Sequence, residues 1–218
     1  MNYAQLVSAI KGYAENDFPA TAGSFTSTDQ VNTFIKQAEQ RIYNSVQFPA
    51  IRKNVTGVTT SGNKYLAMPV DFLASYSLAA IDPVTGDYEF LLNKDVNFIR
   101  AAYPKATDSG IPAYYALFDD NTFILGPTPD AAYSMELHYY YYPASIVDAG
   151  TSWLGDNFDS VLLYGSLLEA ASFMKSDGDT MKSYNDRYNE AMLLAKRLGD
   201  GMDRQDAYRS GQFRMDVK

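Results

Sequence analysis

Apolar residues recur along this chain with two different periods, and the change from one to the other marks out its segments. Near the start, Tyr3, Leu6, Val7, Ile10 and Tyr13 fall at the spacing of one helix face, and Gly23 and Ser24 lie in the loop that follows. A second helix begins at Ser27-Thr28-Asp29-Gln30, where Ser27 as N-cap and Gln30 three residues on read as a capping box. Its apolar face is Val31, Phe34, Ile35, Ala38, Ile42 and Val46, and Pro49 ends it, because proline disfavours helical backbone in the residue before it. From Ile51 the period shortens. Val55, Val58 and Thr59-Thr60, the turn signal Ser61-Gly62-Asn63, and Tyr65-Leu66-Ala67 read together as a β-hairpin. A second hairpin runs from Tyr76 to Ile81, through Asp82-Pro83-Val84-Thr85-Gly86, and back from Tyr88 to Leu92. Asn93 caps a short helix carrying Val96, Ile99 and Arg100, which stops before Pro104. Two further strands, Ala113 to Phe118 and Thr122 to Leu125, flank Asp119-Asp120-Asn121. Tyr133 to Tyr141 then alternates, with Met135, Leu137, Tyr139 and Tyr141 on one face and Glu136, His138 and Tyr140 on the other.

The last third returns to helical spacing. Asp156 or Asn157 caps a run whose Val161, Leu162, Leu168, Ala171 and Phe173 are apolar on every side, the mark of a central helix. Ser176-Asp177-Gly178-Asp179 breaks that run, and Met181, Tyr184, Tyr188, Met192, Leu194 and Leu198 form a last helix with Gly199 as its stop. The expected class is therefore α+β. Residues 1–50 and 151–200 would supply the helices, 51–150 the strands, and 201–218 an extended C-terminal tail.

Composition, charge and the chain start bound this picture further. A length of 218 residues with 46% hydrophobic and 20% charged side chains can bury a sizeable core and should fold. The 18 Tyr and 12 Phe beside one Trp favour protein interfaces, since tyrosine brings apolar area and a polar tip at low entropic cost. With no cysteine, disulfide frameworks, thiol nucleophiles and thiolate zinc sites are excluded, in keeping with synthesis in a reducing cytoplasm. The net charge of −8 argues against sequence-independent nucleic-acid binding, which needs clustered cations, so DNA passing nearby should slide. Met1-Asn2-Tyr3-Ala4-Gln5 begins no secretory signal, and no apolar run reaches the ~18 residues of a membrane span.

Candidate chemistry is thin. His138 is the only histidine, so a multi-histidine metal site cannot be built; one Ser-His-Asp triad still could, but a lone strand histidine among tyrosines reads as a packing or interface residue. Asp119 and Asp120 form a possible carboxylate pair that reads better as turn geometry, and Asp82, Asp87 and Glu89 lack the spacing of a calcium loop. No phosphate-binding glycine loop follows a strand. The expectation is no catalytic residue, no metal site, no cofactor and no enzyme activity. The run Tyr139-Tyr140-Tyr141-Tyr142 has three readings: a strand packing on both faces, a subunit interface, or a platform on which sugars stack.

Several phrases resemble, in order and spacing, the head-to-tail adaptor family of short-tailed bacteriophages. They are Gln37-Ala38-Glu39-Gln40-Arg41-Ile42 and Leu66-Ala67-Met68-Pro69-Val70-Asp71-Phe72, the latter one residue longer than the usual form. Next come Pro112-Ala113-Tyr114, Leu125-Gly126-Pro127-Thr128-Pro129-Asp130 and Leu137-His138-Tyr139-Tyr140. Trp153, Phe158 and Leu162-Leu163-Tyr164-Gly165-Ser166-Leu167-Leu168-Glu169-Ala170-Ala171 complete the match.

This resemblance implies a helical bundle formed by both chain ends (1–50 and 151–200) around a central β-rich insertion lobe (51–150), in a structural virion protein at the head–tail junction, made in the host cytoplasm. Its subunits would form a homododecameric ring beneath the portal, join it to the tail nozzle or hub and continue the DNA channel, with no specific DNA binding and no membrane. The alternative function is a carbohydrate-binding module of a virion tail. For the portal contact the candidates are Met202, Arg204, Tyr208, Arg209, Phe213 and Arg214, in a segment locally basic within an acidic chain. For a subunit or tail interface they are Tyr88, His138, Tyr140 and Tyr142.

Overall fold

The first helical face forms α1 (Tyr3–Ala14) in the computed structural model, which describes residues 1–20, 25–46, 48–105 and 107–203. Asn2 and Gln5 close a reciprocal capping box at its start, and Leu6 and Ile10 are buried. In α2 (Ser27–Ser45) the box lies one residue earlier than expected: Thr26 is the N-cap and Asp29 its partner. Thr26 Oγ1 accepts from Asp29 N at 3.2 Å, while the Asp29 carboxylate accepts from Thr26 N at 3.1 Å. An aspartate there adds favourable charge at the positive helix end. Ser27 Oγ is turned to Asp17 O (2.6 Å), and Gln30 is buried, its amide donating to Pro19 O and Phe25 O at 3.2 Å each.

The chain is α+β and divides into two units, one of Met1–Ile51 with the chain from Pro143 onward, the other of Arg52–Tyr142. In the first, α4 (Ile146–Ala149) and α5 (Trp153–Asn157) lead to α6 (Asp159–Met174) and α7 (Gly178–Asp203). Helix α6 packs against α1, α2, α5 and α7, and buries Val161, Leu162, Leu163, Leu167, Ala170 and Ala171, as its all-round apolarity requires. Two of the expected residues depart from this: Leu168 is half-buried, and Phe173 is half exposed at the helix end. Neither Asp156 nor Asn157 caps α6, because both lie inside α5, which Ser152 caps through Gly155 N at 3.1 Å. Phe158 occupies the cap position of α6 without a side-chain bond; its ring lies 5.6 Å from Phe48 and 5.4 Å from Trp153, so packing orders this start. Gly165 lets its neighbours close in: a Cβ there would lie 3.3 Å from both Ala38 Cβ and Tyr188 Cε2.

Helix α7 does not stop at Gly199 but runs through it to Asp203, an interior glycine costing only about 1 kcal/mol. Its buried stripe is Tyr188, Met192 and Ala195. Leu194 is exposed, since two residues past Met192 is about 200° around a helix of 3.6 residues per turn, and Leu198, at the edge of the stripe, is half exposed.

The second unit has two four-stranded sheets. In the first, β1 (Arg52–Val58) pairs with β8 (Ser134–Tyr140), β8 with β3 (Ala74–Ile81), and β3 with β4 (Tyr88–Phe90), all antiparallel. In the second, β2 (Tyr65–Ala67), β7 (Thr122–Gly126) and β6 (Tyr114–Leu117) are antiparallel, and β5 (Leu92–Asn93) adds in parallel to β6. The first expected hairpin is therefore absent: β1 and β2 belong to different sheets. Its turn is real, with Gly62 at φ 77°, but Gly62 N bonds to Pro129 O (2.8 Å) and Thr59 N to Tyr133 O (3.0 Å), tying it to a distant segment. The second hairpin forms as β3 and β4, then leaves its sheet: Leu91 N still reaches Leu78 O, whereas Leu92 N bonds to Ala113 O. Asn93 thus sits in β5, and α3 (Val96–Ala102) is capped by Asp95 through Asn97 N at 2.7 Å.

The core of this unit lies between the sheets. Leu78, Ala80, Met135, Leu137 and Tyr139 meet Tyr115, Phe123 and Leu125 across it, and Tyr115 OH donates to Ser75 Oγ at 3.0 Å. Strand β7 is buried on its other face as well, where Ile124 packs under Ile99 of α3. Gly126 is needed there: a Cβ would lie 2.9 Å from both Ile99 Cγ2 and Tyr103 Cδ2.

Candidate functional site

The outward face of the first sheet gathers three of the four interface candidates. Burial along β8 alternates residue by residue, with Met135, Leu137 and Tyr139 turned to the core and Glu136, His138 and Tyr140 outward. Tyr88 reaches the same face from β4, its hydroxyl donating to Glu136 Oε2 at 3.0 Å. Asn54 Nδ2 of β1 donates to the other oxygen, Glu136 Oε1, at 2.8 Å. The bonds from Asn54 and then Tyr88 hold the Glu136 carboxyl below its ordinary pKa of 4.5, and the Tyr88 phenol is raised by the same contact. Tyr142 lies beyond the strand end, partly exposed.

The face also carries residues that sequence alone does not nominate. A β-bulge between Ser75 and Ser77 inserts Tyr76 on the outer side, where its ring meets His138 (5.5 Å) and Tyr140 (6.0 Å) edge-on. The Arg52 guanidinium lies 4.9 Å from the Tyr76 ring centre and 5.8 Å from that of Tyr140. Phe90, 68% exposed, stacks beside Tyr88 at 6.3 Å. No periodicity places a bulge, and only the pairing of β1 with β8 brings Arg52 and Asn54 here.

Elsewhere the polar groups hold structure. The Asp71 carboxylate accepts from Lys53 Nζ at 2.7 Å and from Tyr139 OH at 2.8 Å, and these two bonds lower its pKa from 3.8. Tyr133 donates to Asp130, which pushes its phenol up to about 12. Asp119 accepts from Asn121 N, and Asp82 from Val84 N and Thr85 N, so both serve their turns. Glu39, 4% exposed on α2, accepts from Ile146 N at 2.9 Å, and burial raises its carboxyl above 4.5. Among the described residues no cluster of His, Asp and Glu has metal-binding geometry, and no helix is long and apolar enough to cross a membrane. Of the portal candidates, Met202 falls in the last turn of α7, while Arg204, Tyr208, Arg209, Phe213 and Arg214 lie outside the described residues.

The phrases quoted for the adaptor resemblance occupy packing positions. Trp153 and Phe158 enclose Phe48, Phe72 stacks on Tyr139 and meets Phe123 edge-on, and Gly126 admits α3. No curated protein sequence matches the chain. The model of the SU10 adaptor protein family matches residues 1–215, and with nearly the full length covered the chain belongs to that family, as a phage head-to-tail adaptor.

Proposed function

We propose that this protein is a structural ring subunit at the head–tail junction of a phage virion, made in the bacterial cytoplasm. Twelve copies sit beneath the portal, connect it to the tail nozzle or hub, and continue the DNA channel. The observation that carries this reading is the family match over residues 1–215. A net charge of −8 agrees with a channel wall along which DNA slides. The helical unit, with the chain ends, faces the portal, and the β-rich unit faces the tail. Met202, Arg204, Tyr208, Arg209, Phe213 and Arg214 form the portal contact, and Tyr88, His138, Tyr140 and Tyr142 serve neighbouring subunits or the tail. The aromatic face fits an interface better than a sugar platform, because Arg52 already covers the Tyr76 and Tyr140 rings on which a sugar would stack.

Cryo-electron microscopy of the protein mixed with its portal tests the reading directly: a closed ring seated on the portal is expected. Failure to bind the portal, together with binding to an oligosaccharide, would replace it with the glycan-binding alternative. A chain ending at Gly199 should keep its melting temperature and lose portal binding. Wild-type affinity would move the contact into the helices.

A further inference from the structure

The two edges of the first sheet are both open and complementary. No described strand pairs with the outer side of β1 or of β4. Thr59 N bonds to Tyr133 O at one end of the β1–β8 ladder. Because antiparallel bonds alternate, Gly57, Val55 and Lys53 are spent on β8, and the backbone groups of Asn54, Thr56 and Val58 point out from the edge. On β4, the bonds Asp82 N to Asp87 O and Leu91 N to Leu78 O leave Tyr88 and Phe90 pointing outward in the same way.

Edges of this kind are usually blunted by proline, charge or a bulge. From Asn54 to Val58 β1 carries none of these, and Val58 is 64% exposed. On β4, Tyr88 and Phe90 are exposed at 51% and 68%. The edges differ in charge: Arg52 and Lys53 lie on β1, Lys53 paired with Asp71, and Asp87 and Glu89 lie on or beside β4.

We infer that β4 of one copy pairs with β1 of the next, so that the first sheet continues from subunit to subunit. Strand directions alternate across β1, β8, β3 and β4, so β4 meets the next β1 antiparallel, as this contact requires. Tyr88 and Phe90 present side chains on the same outer face as Asn54 and Thr56, so Tyr88 opposite Thr56 keeps both faces continuous. Pairing β4 with its own copy would oppose Asp87 and Glu89 to themselves, and pairing β1 with its own copy would leave Tyr88 and Phe90 uncovered. Between chains of net charge −8, this register places no carboxylate opposite another, and Glu89 lies diagonal to Lys53 of the neighbour, which pairs with Asp71 within its own chain. The contact is heterologous, so its repetition closes a ring when the rotation permits. It rests on the ring reading for that closure, but not for its chemistry.

The chain has no cysteine, so introduced thiols report alone. In the stated register Glu89 faces Val55 of the neighbour. Full-length Glu89→Cys and Val55→Cys proteins, mixed and oxidised with and without the portal, should cross-link to each other and form few homodimers. A chain carrying both substitutions should give a ladder. Cross-linking through Gly57→Cys in place of Val55→Cys would shift the register by two residues and keep the pairing. Thr56→Pro removes one outward N–H without touching the bonds to β8, so circular dichroism and melting should be unchanged while the cross-linking yield falls at least tenfold. Dominant Val55→Cys homodimers, absence of cross-links, or indifference to Thr56→Pro would overturn the inference. A ring on the portal without these cross-links would leave the ring reading standing and remove the edge pairing; cross-links without a ring would do the reverse.

Discussion

The helical and β-rich units bury comparable kinds of residue by different means. In the helical unit each apolar stripe is a property of one segment: Val31, Phe34, Ile35, Ala38 and Ile42 are inside because α2 places them on one side. In the β-rich unit burial depends on which strand lies opposite, and β7 is buried on both faces only because a sheet covers one and α3 the other. Their ionisable groups differ as well. The helical unit buries Glu39 against a backbone N–H, whereas the β-rich unit pairs Asp71, Asp130 and Glu136 with hydroxyl, ammonium or amide donors. Local periodicity thus accounts for one unit, and long-range pairing for the other.

The largest expected effect comes from emptying each core in turn. Phe123→Ala, which removes the ring touching Phe72 and Tyr115, should destabilise by about 3–5 kcal/mol, and Leu162→Ala by about 2–5 kcal/mol. Amide exchange should quicken mainly in Arg52–Tyr142 for the first and mainly in the helices for the second. Uniform quickening in both variants would show one cooperative unit and erase the distinction.

Gly126→Ala should cost about 1–3 kcal/mol, because the added methyl forces Ile99 and Tyr103 aside. Denaturant titration measures it, and a neutral result would mean that α3 shifts freely. In the helical unit, Thr26→Ala should lose about 1 kcal/mol and Ser27→Ala distinctly less, since the cap is Thr26. Equal losses would return the cap to the position expected from sequence.

The smallest effect is the pH slope, and its sign separates the buried Glu39 from the hydrogen-bonded Asp71. Glu39 has a raised pKa, so the folded state binds the extra proton; stability relative to Glu39→Gln should rise as pH falls through the folded pKa, with the gain complete below 4.5. Asp71 is lowered, so its contribution is present above 3.8 and is lost as pH falls through its folded pKa, and stability relative to Asp71→Asn should decline there. Slopes of the same sign in the two variants, from melting curves across this range, would contradict the assignment.

What the sequence alone determined were features set by nearest neighbours along the chain. These include the α+β class, the face of α2, Leu6 and Ile10 on the buried side of α1, the largely buried α6, the β3–β4 hairpin and the alternation of β8, together with the order of phrases that pointed to the adaptor family. Half of the outer face was legible too, because Glu136, His138 and Tyr140 follow from a period of two. Tertiary structure decided the rest. The turn at Gly62 looks the same whether the next strand returns to β1 or crosses to another sheet, and the choice fell to bonds with Pro129 and Tyr133, far along the chain. The caps at Thr26 and Asp95 won over neighbours with similar side chains through backbone placement. Tyr76 reached the outer face through a bulge, and Arg52 through the register of β1 on β8. The physical reason is the same each time: periodicity constrains the direction of a side chain relative to its own backbone, whereas the partner across a sheet is set by the free energy of the assembled core.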